Sequence, residues 1–421
     1  MNLTFHWINI LILIGAFNAL VFCVVLLFER RHPGAGFLAA FVFVFAYNGF
    51  ETFNWSSGLD RYYMFFDLFP FIVIYAIGRL QRKTVLPGDR MRYEWFVSYP
   101  INNYDVTFNI GKYVRFQDRY ISADTLSIDY YVMAYNLEKA RRLFEQVKPM
   151  LRTFEKNFGA YPFRRDGFTL VESVYPMEHQ SGVCIGKINA DSAIDANPLL
   201  WHESAHEWWG NAITTKDIAD MWVHEAFATY AEMLVSGDLF GKELDVEFLD
   251  DQANAVSGKE PVIGVYDVNH IHYNIADMYS KGSLMLHTFR SVLDNDMLWV
   301  NLLHDIQKRF RYQTITSDDL VDFINARTGT DYSYLFDQYL RYKDIPVLRI
   351  ALKQKGADLQ VGYRWQADVN NFHMPVKITT APNVMGFIYP GQSLKTILLK
   401  NMSMEEFEVD TQNFFIELVI E

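Results

Sequence analysis

The chain changes its hydrophobic rhythm three times. It opens with three long apolar runs, Trp7 to Phe28, Gly36 to Phe50 and Tyr62 to Gly78. The first is about the roughly 20 residues that cross a bilayer as a helix. From Arg92 to Tyr135 the pattern alternates with period two, as in Tyr93-Glu94-Trp95-Phe96-Val97, Tyr104-Asp105-Val106-Thr107-Phe108 and Leu126 to Val132, with Asn102-Asn103 and Gly111-Lys112 as turns. These stretches are expected to be strands. From Asn136 to about Pro346 the spacing becomes helical. Ala140, Leu143, Phe144, Val147, Met150, Leu151 and Phe154 form one stripe, closed by Gly159 and bent at Pro149. Further helices are expected over Asp277 to Leu293, Met297 to Phe310 and Ser317 to Ala326, the last opened by Thr316 with Asp319. From Pro346 the period returns to two, with Gly356, Pro382-Asn383 and Pro390-Gly391 as turns, as in a small antiparallel sandwich.

This rhythm divides the 421 residues into a transmembrane region (1–83), a few β-strands (84–135), a mainly helical domain (136–345) and a β-sandwich (346–421). The fold class is α+β, multidomain. A cleaved signal peptide is disfavoured because nothing positive precedes the first run and two more runs follow it. Three spans, and so a multi-pass membrane protein in contact with lipid, are expected instead. Arg30 and Arg31 follow the first run, and Arg79, Arg82 and Lys83 the third, which puts the remainder on the cytoplasmic side by the positive-inside bias.

The net charge of −12 and the lack of a basic block argue against nucleic acid as a partner. The two cysteines, Cys23 and Cys184, imply no disulfide framework.

The candidate chemistry lies in His202-Glu203-Ser204-Ala205-His206. Residues four apart on a helix share a face, so the two imidazoles can reach one ion while Glu203 projects beside them. Asn197-Pro198 supplies an N-cap and a first-turn proline. Separated from His206 by eighteen residues, Glu225 sits in a stretch apolar nearly all round, Ala226 to Leu234. A carboxylate buried there needs a cation, so Glu225 is the third ligand and the fourth position is left for water.

With these words in place the chain resembles the zinc aminopeptidases of the alanyl-aminopeptidase type, a thermolysin-like family that also contains leukotriene hydrolase. The likeness covers about residues 92–421. It is carried by the HExxH pattern with Glu225, by His206-Glu207-Trp208-Trp209-Gly210-Asn211, and by Trp222 to Phe227. Val174 to Gln180 and Tyr279-Ser280-Lys281-Gly282 match two further family motifs. The resemblance implies a thermolysin-like catalytic domain with one Zn2+ per chain, Glu203 as general base and Tyr279 as donor to the oxyanion. It implies that Glu178, with Met177, binds the free α-ammonium of a peptide. Tyr175 and His179 depart from the usual glycine and asparagine of that motif, and Glu207 and His224 replace a frequent glutamine and asparagine. Residues 84–135 have room only for the last strands of the family's N-terminal β-domain, and the helical domain that roofs the cleft in larger family members is not expected here.

The expected function is hydrolysis of N-terminal residues from peptides by a membrane-anchored enzyme. One alternative is an endopeptidase with a cleft open at both ends. Another is a catalytically idle membrane sensor, since residues 1–78 resemble a membrane sensor module found ahead of some bacterial transcription regulators. The sequence leaves the preferred side chain and the oligomeric state open.

Overall fold

The computed structural model describes residues 63–68, 73–87, 90–188, 196–268 and 276–421. They fall into two compact units.

The described part of the first unit is a three-stranded antiparallel sheet with Arg90–Phe96 in the centre, flanked by Tyr63–Leu68 and Arg79–Leu86. The second unit contains Val73–Ala76, paired antiparallel with Phe108–Gly111. The apolar run Tyr62 to Gly78 is therefore not a membrane span. Its backbone groups are satisfied across sheets, whereas a span must satisfy them within one helix or a closed barrel. No helix among the described residues is long and apolar enough to cross a membrane. That overturns the expectation of a multi-pass chain with its catalytic part on the cytoplasmic side. The runs 7–28 and 36–50 lie outside the described residues.

The second unit is built on a mixed five-stranded sheet, ordered Tyr113–Ile121, Thr125–Met133, Phe168–Val171, Gly182–Ile185, Pro176–Met177. The first pair is an antiparallel hairpin, and the next two pairings are parallel. The last, Pro176–Met177, is an antiparallel edge, where a residue without an N–H is tolerated. The parallel step from Thr125–Met133 to Phe168–Val171 needs a crossover, and helices α1 (Leu137–Leu143) and α2 (Val147–Phe158) supply it. They are separated by a 3-10 turn at Phe144–Gln146, so the bend precedes Pro149. Pro149 sits in the first turn of α2, where its missing N–H has no intrahelical partner to lose. Gly159 ends α2 at φ +91°.

Seven more α-helices follow among the described residues: α3 (Pro198–Ala205), α4 (Trp222–Phe240), α5 (Glu243–Ala255), α6 (Ala276–Leu293), α7 (Asp296–Phe310), α8 (Ser317–Thr328) and α9 (Ser333–Leu340). At α8 the expected box forms, with Thr316 accepting from the Asp319 N–H and Asp319 from the Thr316 N–H.

The C-terminal segment forms a four-stranded sheet ordered Lys395–Leu399, Asp358–Gln366, Val347–Lys355, Glu417–Ile420, with a separate hairpin of Val376–Ala381 and Val384–Ile388. Glu417–Ile420 pairs parallel to Val347–Lys355 rather than antiparallel. Period-two spacing reports which face a side chain takes but is blind to strand direction.

Candidate active site

Asn197 caps α3 by accepting from the Leu200 N–H at 2.8 Å, with Pro198 as the first helical residue. The helix carries His202 and Glu203 and ends at His206. There the chain leaves α-geometry through a short π segment, Glu207–Asn211, in which Trp209 and Gly210 are non-helical. Gly210 stands at φ +135°, and a Cβ on it would lie 3.4 Å from Nδ1 of both His206 and His224. The turn lets His206 Nδ1 donate to the Trp209 carbonyl at 2.8 Å, which aims Nε2 into the cleft.

Glu225 comes from the first turn of α4. Its Oε2 lies 3.2 Å from His202 Nε2 and 3.4 Å from His206 Nε2. The donor atoms of the three residues all lie within 4.8 Å of one another. This set fits a zinc ion, because metal–ligand distances of about 2.0–2.2 Å in a tetrahedron put neighbouring donors roughly 3.4 Å apart. The outer nitrogens fit as well. His202 Nδ1 meets Glu232 Oε1 at 2.8 Å, and a carboxylate there fixes the tautomer that leaves Nε2 for a metal. Burial alone would raise the Glu225 carboxyl, but the His206 and His202 rings hold it below the usual carboxylate range.

Tyr279 reaches the site because α6 packs tightly on α4. A Cβ on Gly282 would come 2.6 Å from the Ala226 Cβ, so only glycine permits this approach. The Tyr279 ring stacks on His202 with centroids 5.7 Å apart, and the residue lines the same cavity as Glu225. Burial, with Glu225 adding to it, pushes the phenol well above its usual range, so it stays a donor. Two residues further along this motif, Lys281 is fully buried and donates to the Tyr342 and Lys343 carbonyls at 2.7 and 2.9 Å. Gly282→Ala is expected to destabilise the fold by about 1–3 kcal/mol, as overpacking does, and to lower turnover by displacing Tyr279. Thermal denaturation and kinetics on the same preparation check both.

Glu178 follows the edge strand and is buried at 6% exposure. Its carbonyl accepts from Asn211 Nδ2 at 2.6 Å, while Glu207 Oε1 accepts from the Ser181 N–H at 2.7 Å. The π segment after the histidines thus grips the loop that carries Glu178. Glu207 and His224 are both buried beside the metal-ligand candidates, so neither is a surface variant. His224 Nε2 accepts from the Thr215 N–H at 3.0 Å, and burial, then His206, pushes this histidine down to about 4, which keeps it neutral.

One cavity of about 500 Å³ is lined by Met177, Glu178, His202, Glu203, His206, Glu225 and Tyr279, the seven residues singled out from the sequence. Tyr104, Pro176, Ile218 and Met221 complete its wall. Glu203 lies in it at 7% exposure, its carboxyl pushed up to about 7 by burial. His270 and His272 lie outside the described residues.

Two neighbours were not foreseen. Glu232 is seven residues after Glu225, two turns along one helix face, a spacing that could have marked it as a partner for His202. Tyr104 gave no such signal. The stretch read as a strand over 104–108 is a 3-10 turn at Asn103–Asp105 followed by the strand Phe108–Gly111.

With this geometry the comparisons with known proteins agree. The model of the peptidase family M1 domain matches residues 186–339. Residues 186–339 are thus similar to an M1 peptidase domain. Among curated proteins, the chain is 28% identical over 204 residues to aminopeptidase N of Lactobacillus helveticus, 42% of this chain and 24% of that protein. A leucyl aminopeptidase of Saccharolobus solfataricus is 24% identical over 225 residues, 51% of this chain and 28% of the other. The chain thus spans about a quarter of the length of these relatives. Among solved structures, aminopeptidase A of Legionella pneumophila, in complex with aspartic acid, superposes with a TM-score of 0.72 at 15% identity, covering 86% of this chain and 45% of that one. An M1 zinc metallopeptidase of Deinococcus radiodurans gives a TM-score of 0.56 at 17% identity, covering 66% and 64%. At such identities these superpositions speak to the multidomain α+β fold.

Proposed function

We propose that the chain is a zinc-dependent aminopeptidase that removes N-terminal residues from peptides. The observation that carries this reading is that the Glu178 carboxylate opens into the same buried cavity as Glu203 and the His202, His206, Glu225 set. These three residues would hold one zinc per chain, which supplies Lewis acidity toward a carbonyl and toward water.

The chain's own groups do the rest. Glu203, with a carboxyl near neutrality, takes a proton from water and returns it to the leaving amine. Tyr279 donates to the carbonyl oxygen as negative charge gathers on it, a role that suits a neutral phenol. Glu178 pairs with the α-ammonium and so admits a chain end rather than the middle of a peptide. A binding-only protein would have no use for Glu203, and the relatives named as aminopeptidases support the exopeptidase reading.

The test is metal content together with activity of the full chain. About one zinc per chain is expected, and a chelator should abolish hydrolysis of an aminoacyl reporter until zinc is restored. His202→Ala and His206→Ala should each lose the ion and Glu225→Ala should weaken it, since three protein ligands are usual for a catalytic site. Full zinc occupancy in the double histidine variant would remove the site from these residues.

A further inference from the structure

Tyr104 enters the cleft from a part of the chain that none of the zinc-site motifs reaches. Its turn, Asn103–Asp105, turns Asp105 inward, where it is fully buried. Asn102, just before it, donates through Nδ2 to Thr214 Oγ1 at 2.7 Å, and the Thr214 hydroxyl donates to the Gly210 carbonyl at 2.6 Å. The neighbouring Asn211 holds the Glu178 carbonyl. One short segment, Gly210-Asn211, is therefore the mount for both Tyr104 and Glu178. Tyr104 keeps 37% exposure and lines the same cavity as Glu178.

We propose that Tyr104 is a positioning residue of the amine subsite: its O–H donates to the Glu178 carboxylate and aims it at the incoming α-ammonium, while its ring walls the first side-chain subsite, which takes an uncharged, apolar N-terminal residue. This rests on the aminopeptidase reading.

A carboxylate has two oxygens and about four acceptor sites, so a phenol can hold one oxygen and leave the other to the ammonium. The donor must also be neutral. Lysine or arginine at this place would fix Glu178 equally well but would cancel the negative charge that the ammonium needs, whereas a phenol orients without neutralising. Burial, with Asp105 and Glu178 adding to it, holds the Tyr104 phenol in its protonated, donating form.

The side-chain class follows from what the wall lacks. Among the described residues, the three cavity carboxylates each have a task, Glu178 for the amine, Glu203 for the proton and Glu225 for the metal. The remaining wall beside Tyr104 is Met177, Ile218 and Met221. Nothing is left to pair with a charged substrate side chain, and a desolvated charge without a partner is strongly disfavoured there.

The experiment is steady-state kinetics of the full chain, wild type and Tyr104→Phe, on leucyl, glutamyl and arginyl reporters. The wild type should cleave the leucyl reporter at least about tenfold better in kcat/KM than the charged ones. Tyr104→Phe removes only the hydroxyl. It should raise KM for the leucyl reporter about threefold to tenfold, the range of one lost hydrogen bond, with kcat within about twofold. A purely structural tyrosine would instead lower active-enzyme content and kcat without moving KM. Tyr104→Ala, which opens the wall, should in addition reduce the preference for leucyl over alanyl reporters. An unchanged KM in Tyr104→Phe, or a charged reporter cleaved as well as the leucyl one, overturns the inference while the aminopeptidase reading stands. Failure of the wild type to cleave any of the three overturns both.

Discussion

Glu203→Gln is expected to keep its zinc and to lower turnover by at least about a hundredfold, the lower end of what a general base contributes. The amide has nearly the shape of the carboxylate, so the packing of α3 and the two histidines that flank Glu203 should be undisturbed. What disappears is the capacity to accept a proton. Glu203 suits the task because burial pushes its carboxyl up to about 7, where a base can take a proton and give it back without a large driving force in either direction. Zinc content and thermal stability of the variant should match the wild type, which separates lost chemistry from lost structure. Unchanged turnover with full zinc would move the base elsewhere. The alternative in place is Glu178, whose carboxylate lies within 4.8 Å of donor atoms of Glu203 and His206.

The parts of this centre that could be read from the sequence are those set by local geometry. His202 and His206 share a helix face by spacing alone, and Glu225 reads as a ligand because a carboxylate in an apolar helix requires a cation. Tyr279 was found through its motif, but the reason it reaches His202 is the missing side chain at Gly282 against Ala226, a fact of packing between helices that no periodicity contains. The same limit explains two of the departures from expectation. Val73 to Ala76 reads as part of a membrane span because a strand buried on both faces and a lipid-facing helix share a continuous apolar run. Their difference lies in the pairing partner, Phe108–Gly111, more than thirty residues away. Tyr104 was hidden by an alternating pattern that suggested a strand, while Asp105, the polar member of the pair, is the one that faces inward. A buried polar residue inverts the reading of faces on which such patterns rest.

Glu178 distinguishes a chain-end cutter from an interior cutter. If its carboxylate holds the α-ammonium, the two make a charge-assisted contact in a site where Glu178 is only 6% exposed, and truncating one partner of such a pair costs about 2–5 kcal/mol. Glu178→Ala should therefore lower kcat/KM for free-amine peptides by roughly thirtyfold or more, at about tenfold per 1.4 kcal/mol. The carbonyl that Asn211 holds belongs to the backbone and survives the substitution, so the loop itself has reason to stay in place. N-acetylated peptides should be poor substrates of the wild type and should lose nothing further in the variant, because they never made the contact. The measurement is a two-by-two comparison, wild type and variant against free and acetylated versions of one peptide. Equal cleavage of both peptides by the wild type, or equal losses on both in Glu178→Ala, would make Glu178 a structural residue. The cleft would then belong to an endopeptidase, for which an open passage past Glu178 is required and an ammonium-binding carboxylate is not.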